Sequence, residues 1–420
     1  MEPRPIETYP RSVEPVQLGY AEKPVEDFEE DPFPSKIGGK PVWLDPTNPL
    51  RADQVSCGEC GKPMPMLLQL YTPEDMPVEA FHRTVYVFCC KNGDCHRSTS
   101  IKSFRVYRTQ LPEENPFHIM DPPPSSEPSS DADDGTWIRG PGYQSGPECN
   151  VCGLFGSKTC GQCKTARYCS RPHQLADWKV ADHKSRCRAG EPNAIPTDEG
   201  EAATRLAKQA LFPVFEIVSE PEEIKERLDK ADEERLKKAD VDTEVDTKED
   251  WEDSESHVDR AFLEFQRRVL HNPSQVLRYA RTAYDQPDGA PLFVSDMDHP
   301  ATPSDIPACE NCGTARTFEF QILPQLLYYL GTDQALPSSL DWGSLFVYSC
   351  PANCVQYRDD RAPTDQGGYA SQAWHPEVLW KQNFTQDGIG KQLAGGQSST
   401  IQSPRPPANT GVDNKSGPQN

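Results

Sequence analysis

Residues 306–330 read IPACENCGTARTFEFQILPQLLYYL, and residues 340–354 read LDWGSLFVYSCPANC. A Cys-x-x-Cys pair, Cys309 and Cys312, is followed by Gly313 and a strand-like run, 317–322. A second apolar run, 345–348, then ends on Cys350 and Cys354. Two close cysteine pairs carried on turns and separated by strands provide what a tetrahedral structural zinc site needs, with Zn–S bonds of about 2.3 Å.

The same unit appears earlier. Cys57-Gly-Glu-Cys60-Gly61 precedes a run at 66–71, and the run 85–90 leads to Cys95. Gln69 lies nine residues past Cys60, as Gln321 lies nine past Cys312, and Pro41-Val-Trp43 matches Pro291-Leu-Phe293. Self-similarity of this kind predicts one β module used twice. Cys57, Cys60, Cys90 and Cys95 would then hold one zinc, and Cys309, Cys312, Cys350 and Cys354 another. Cys89 aligns with Ser349 and is left outside the ligand set.

Between the copies lies a compact cluster: Cys149, Cys152, Cys160, Cys163, Cys169, His173, His183 and Cys187. Eight ligands make two tetrahedral sites. Interleaving assigns Cys149, Cys152, Cys169 and His173 to one zinc, and Cys160, Cys163, His183 and Cys187 to the other. About forty residues cannot fold on their apolar core alone, so the metals must supply folding free energy. A short helix over 174–183 would present His183 to the second metal and bury Trp178.

Composition bounds the rest. The 420 residues include 42 prolines, only 35% are hydrophobic, and mean hydropathy is −0.73. Much of the chain is therefore expected outside folded modules. No apolar run approaches the ~20 residues that span a bilayer, and no signal peptide is legible. In a reducing compartment, fifteen cysteines in close pairs read as metal ligands rather than disulfides. A net charge of −22 repels phosphate backbones, so direct nucleic-acid binding is not expected. It suits a basic protein partner.

The expected architecture is mostly β with small α parts: two repeated zinc-stabilised β modules, a zinc finger inserted between them, and disordered acidic and Pro-rich linkers. Residues 1–34 read as a disordered N-terminal segment and 35–110 as the N-terminal β module, with 41–44 as an edge strand. Residues 111–147 read as a linker containing an unexplained Trp137, 148–187 as the finger, and 188–255 as an acidic linker. Residues 219–260 hold 18 acidic and 8 basic residues, and 222–238 could form a solvated helix. Residues 256–384 read as the C-terminal β module with a helical lead-in, where Phe262, Phe265, Val269 and Leu270 share a helix face and Ser274 caps a second helix through Tyr279. Residues 385–420 read as a disordered tail.

The eight-ligand cluster, with Tyr168-Cys169-Ser170 and Trp178 before His183, resembles the MYND-type zinc finger; His173 stands where a cysteine is usual. The segments FPSKIGGKPVWLDP, CGECGKPMPMLLQLYTP, FHRTVYVFCC, TFEFQILPQLLYYL and LDWGSLFVYSC, in this order around a MYND finger, resemble the programmed cell death protein 2 family. That resemblance implies a cytoplasmic role, with the nucleus as a second location, in ribosome biogenesis and rRNA processing. It implies a dedicated chaperone for one newly made small-subunit ribosomal protein, of the universal S-five family (S-two in eukaryotes). The finger's own resemblance implies a proline-containing peptide as a second partner, and the alternative function is a transcriptional or chromatin adaptor. No Walker loop, GxSxG or HExxH is present, so no enzyme is expected. The protein is expected to act as a monomer, away from membranes.

Overall fold

The computed structural model describes residues 14–25, 28–97, 100–121, 136–144, 146–181, 183–190, 202–223, 259–283, 286–331, 339–357 and 372–384. The apolar runs picked out above become strands β3 (Met66–Tyr71), β4 (His82–Cys89), β12 (Thr317–Ile322) and β13 (Ser344–Ser349). Each pair forms an antiparallel hairpin next to a cysteine quartet. They do not build separate sheets. With β1 (Gln17–Glu22), β2 (Lys36–Ile37), β5 (Phe104–Leu111), β10 (Phe215–Pro221), β11 (Gln275–Tyr279) and β14 (His375–Gln382) they close one barrel, ordered β1-β10-β2-β3-β4-β5-β14-β13-β12-β11.

Either way round from β1 the order is unequal, β10-β2-β3-β4-β5 on one side and β11-β12-β13-β14 on the other. β5 pairs with β14, while β1 pairs with both β10 and β11. β3 and β12 each carry a bulge, which leaves Leu67 in one and Glu319 in the other outside the ladder. Two glutamines act alike as well. The Val42 N–H donates to Gln69 Oε1 (2.9 Å), and the Leu292 N–H donates to Gln321 Oε1 (2.9 Å), tying each Pro-x-aromatic segment to its hairpin. Residues 41–44 are thus a tethered segment and not a strand.

Several expectations are corrected. Residues 17–22 are barrel strand β1 and not part of a disordered segment. The stretch read as an acidic linker contains α3 (Ala202–Ala210) and β10. Glu222 accepts from Arg268 Nε (2.7 Å) and pairs with Arg278, so it belongs to the folded body. Residues 275–279 form β11, not a helix, because their side chains fill the barrel wall between β1 and β12. The preceding helix α4 (Arg260–His271) does form, capped by Asp259, with Phe265 and Val269 packed on Leu292, Val294 and Leu323. The linker 111–147 contains a hairpin of β6 (His118–Asp121) and β7 (Thr136–Arg139). The helix expected over 222–238, residues 122–135 of the expected linker, residues 358–371 and the tail expected over 385–420 lie largely or wholly outside the described residues.

β4 shows how alternation divides the core. Val85, Val87 and Cys89 join the barrel core with Phe320, Ile322 and Val347. Tyr86 and Phe88 face the other way and pack with Trp43, Leu50, Val55 and the finger's Val151, Leu154 and Tyr168. The finger is therefore docked on the barrel: Trp43 Nε1 donates to Gly153 O (2.9 Å), and the Phe155 N–H donates to Leu50 O (2.8 Å).

Arginines fill positions that a sequence reading assigns to the surface. Arg83 and Arg281 are fully buried around Glu319; Arg83 binds it through two nitrogens at 2.6 and 2.9 Å. Arg281 also pairs with Glu74. Arg108 and Arg316 both donate to Glu377, each at 2.8 Å. Both networks join one half of the barrel to the other.

The β6–β7 hairpin lies on β4 through an aromatic nest. Trp137 stands edge-on to His82 (4.5 Å between centroids), and Phe33 stacks on Tyr71 and His82. Trp137, unexplained by its linker setting, thus docks on the barrel. Burial pushes His82 down to about 3, helped by His118. Burial likewise outweighs the Leu44 carbonyl and takes His118 to about 4, and it takes His375, beside Arg108, to about 3. An unfolded histidine titrates near 6.5. A depressed histidine contributes fully above that value and loses its contribution as pH falls toward 3–4. The melting temperature should therefore fall between pH 7.5 and 5.5, and His82→Phe should flatten that slope. An unchanged slope in the variant would show that His82 is not held neutral.

Candidate metal centres

Four clusters gather all sixteen candidate ligands. Cys57, Cys60, Cys90 and Cys95 form one, and Cys309, Cys312, Cys350 and Cys354 another. The finger's eight divide into Cys149, Cys152, Cys169, His173 and Cys160, Cys163, His183, Cys187. Within each, the four ligand atoms lie within 4.8 Å of one another.

Local structure explains each set. The first pair of every quartet sits on a knuckle in which the residue after the second cysteine donates its N–H back to the first cysteine's carbonyl. Gly61, Gly153, Lys164 and Gly313 do so at 2.8, 2.9, 3.0 and 2.8 Å. That turn requires positive φ, and the four residues adopt +69°, +76°, +61° and +74°. In the barrel quartets the second pair follows the returning strand: Cys90 and Cys350 come directly after β4 and β13, and Cys95 and Cys354 lie a few residues further on. In the finger, β8 (Lys158–Thr159) pairs with β9 (Arg167–Tyr168) and delivers Cys169. Ser170 caps α1 (Arg171–Lys179) by accepting from the His173 N–H. α2 (His183–Ala189) carries His183 and Cys187 at i,i+4, on one face. The single helix expected over 174–183 is thus two. Trp178 is only half-buried, tilted against His183 at 5.8 Å. Asp177, which the motif reading passed over, is buried; it accepts from Tyr168 Oη (2.7 Å) and Arg186 (3.3 Å), bracing α1 on β9 and α2.

The donor sets fit zinc. A tetrahedron with Zn–S bonds of about 2.3 Å has S···S edges of about 3.8 Å. Observed separations are 3.7 Å for Cys60–Cys90, 3.5 Å for Cys152–Cys169, 3.9 Å for Cys160–Cys187, 3.4 Å for Cys309–Cys354 and 3.5 Å for Cys312–Cys350. Disulfides, at about 2.05 Å, are excluded by the same numbers. His173 Nδ1 lies 3.7 Å from Cys149 Sγ and 3.2 Å from Cys169 Sγ, and His183 Nε2 lies 3.7 Å from Cys163 Sγ. Every set has four protein donors, which is the closed coordination of a structural site and leaves no position for substrate. Cys89 belongs to no quartet: it is fully buried, 4.0 Å from His96 Nε2, and burial raises its thiol.

Comparison with known proteins agrees with this geometry. Residues 15–125 match the N-terminal domain of programmed cell death protein 2, and 259–383 match its C-terminal domain. Residues 149–187 match the MYND finger, which implies zinc there. The chain is 36% identical to programmed cell death protein 2 of Bos taurus, with 89% of this chain and 98% of that one aligned. It is 34% identical to the Mus musculus protein of that name, over 88% and 97%. It is 25% identical to a Schizosaccharomyces pombe protein called probable 20S rRNA accumulation protein 4, over 80% and 92%. No solved structure matches.

Proposed function

Because the chain belongs to the programmed cell death protein 2 family, we propose that it is a zinc-stabilised holding chaperone in ribosome biogenesis. Its client is a newly made, basic small-subunit ribosomal protein of the universal S-five family. The observation that carries this is the relative named for 20S rRNA accumulation, aligned over 80% of this chain. The net charge of −22 supports it, since an acidic surface steers and neutralises a basic client.

The duplicated β unit supplies the scaffold, with one zinc in each of the four quartets. Since the ten strands close on themselves, a client segment cannot add to a barrel edge. We place its contact at the open-edged β6–β7 ribbon, where Ile119, Met120 and Ile138 are 42, 43 and 37% exposed. The protein holds and releases without catalysing, in the cytoplasm and secondarily in the nucleus.

Affinity capture from cells followed by mass spectrometry tests this. A small-subunit ribosomal protein should dominate the eluate, and its absence sinks the reading. Association should slow steeply with added salt, and Ile119→Glu with Ile138→Glu should raise the dissociation rate about tenfold or more.

A further inference from the structure

The finger carries a charge opposite to that of its chain. Residues 149–187 contain seven Lys and Arg against Asp177 and Asp182, while the whole chain stands at −22. Lys158, Lys164, Arg167, Arg171, Lys179, Lys184 and the adjoining Arg188 are all exposed. None makes an ion pair with another described residue, whereas Arg186 is committed to buried Asp177. A basic client would be repelled from the finger.

Lys164 is a second, independent observation. Of the four knuckles, three place glycine at the residue of positive φ; here a lysine takes φ +61°. A side chain in that conformation is strained, and the surroundings must hold it there. Among the described residues the exposed Lys164 ammonium makes no hydrogen bond or ion pair, and glycine serves the same turn in the other three knuckles.

α1 adds the pattern. Arg171, Leu175 and Lys179 succeed one another at i,i+4 on one helix row, and Leu175 is 41% exposed. We propose that this face of the finger is a docking site for an acidic peptide segment of a partner protein, in which an apolar side chain lies between carboxylates. The cation–leucine–cation row is complementary to that order. RNA is the poorer fit. Stacking needs a free aromatic face, yet Tyr168 is buried and Trp178 leans on His183. A long polyanion would also meet the acidic remainder of the chain, whereas a short peptide contacts the finger alone.

The test is fluorescence anisotropy on the full zinc-loaded chain. One probe is a labelled synthetic peptide alternating leucine with pairs of glutamates; the other is oligouridylate of equal charge. The peptide should bind more tightly than the oligonucleotide. Arg171→Glu with Lys179→Glu should weaken the peptide about tenfold, which is a loss of about 1.4 kcal/mol. Lys164→Gly should weaken it about threefold while zinc content is retained and the melting temperature is equal or higher, since strain is removed. A folding defect cannot mimic that combination. Equal peptide affinity in both variants, or tighter oligouridylate binding, overturns the proposal. Capture of the ribosomal client should be unaffected by either variant, so the two readings fail separately.

Discussion

Replacing Glu319 with glutamine should destabilise the barrel by about 3–5 kcal/mol, because it leaves the buried Arg83 guanidinium without its counter-charge and Arg281 with Glu74 alone. Glu319 is fully buried between Arg83 and Arg281, which are fully buried too. Burial alone would raise its carboxyl; the charges of Arg83 and Arg281 outweigh that and hold it at about 2. Domains have only about 5–15 kcal/mol in total, so this one substitution removes a large part of the margin. Urea unfolding of both chains checks it; a difference under about 1 kcal/mol would mean that the network is solvated in solution. The sign with pH also follows. A depressed carboxylate contributes above its unfolded value near 4.3 and loses that contribution as pH falls toward 2. The wild-type advantage over the variant should therefore persist at neutral pH and shrink in acid.

Metal removal should have a still larger effect. Metal analysis of the purified chain should return four zinc ions, and Cys350→Ser should lower this to three. Structural zinc contributes about 10–16 kcal/mol in isolated finger peptides, which matches or exceeds the whole stability of a domain. Cys350 directly follows β13, whose strand neighbours are β12 and β14, and β14 leads across to β5 of the other half. The variant should therefore lose the barrel's cooperative unfolding transition throughout, and not only in its C-terminal part. Under a chelator, the C-terminal quartet should give up its metal first, since among the four quartets it alone has an exposed ligand, Cys312. Release starting at the finger would contradict this order, and a wild-type count of three would leave one barrel quartet without metal.

The quartets and the hairpins β3–β4 and β12–β13 were legible because their signals are local: Cys-x-x-Cys-Gly fixes a turn, and apolar runs beside it fix strands. Strand β1, with sequence QLGYAE, sits in a Pro- and Glu-rich setting and buries few side chains, so its composition mimics an unstructured arm. β11 reads as a helix in the sequence because it follows one closely and starts after a serine. The joins between the halves were not legible at all. Gln17 lies opposite Tyr279 and Glu377 opposite Val106, pairings separated by hundreds of residues that no local pattern encodes. Buried Arg83, Arg108 and Arg281 were hidden for a related reason, since their partners lie in the other half. In the finger, spacing sufficed for the ligands, while Asp177 and the cationic surface fall outside any ligand motif.

The circular strand order bears on how the molecule is born. β1 leaves the ribosome early, but its two neighbours, β10 and β11, are encoded some two hundred and more residues later. Until the last strand, His375–Gln382, has emerged, the ring lacks the wall that joins Ser344–Ser349 to Phe104–Leu111. A protein with this connectivity can serve a nascent client only after its own translation is complete, and a prematurely terminated copy has no finished half to offer.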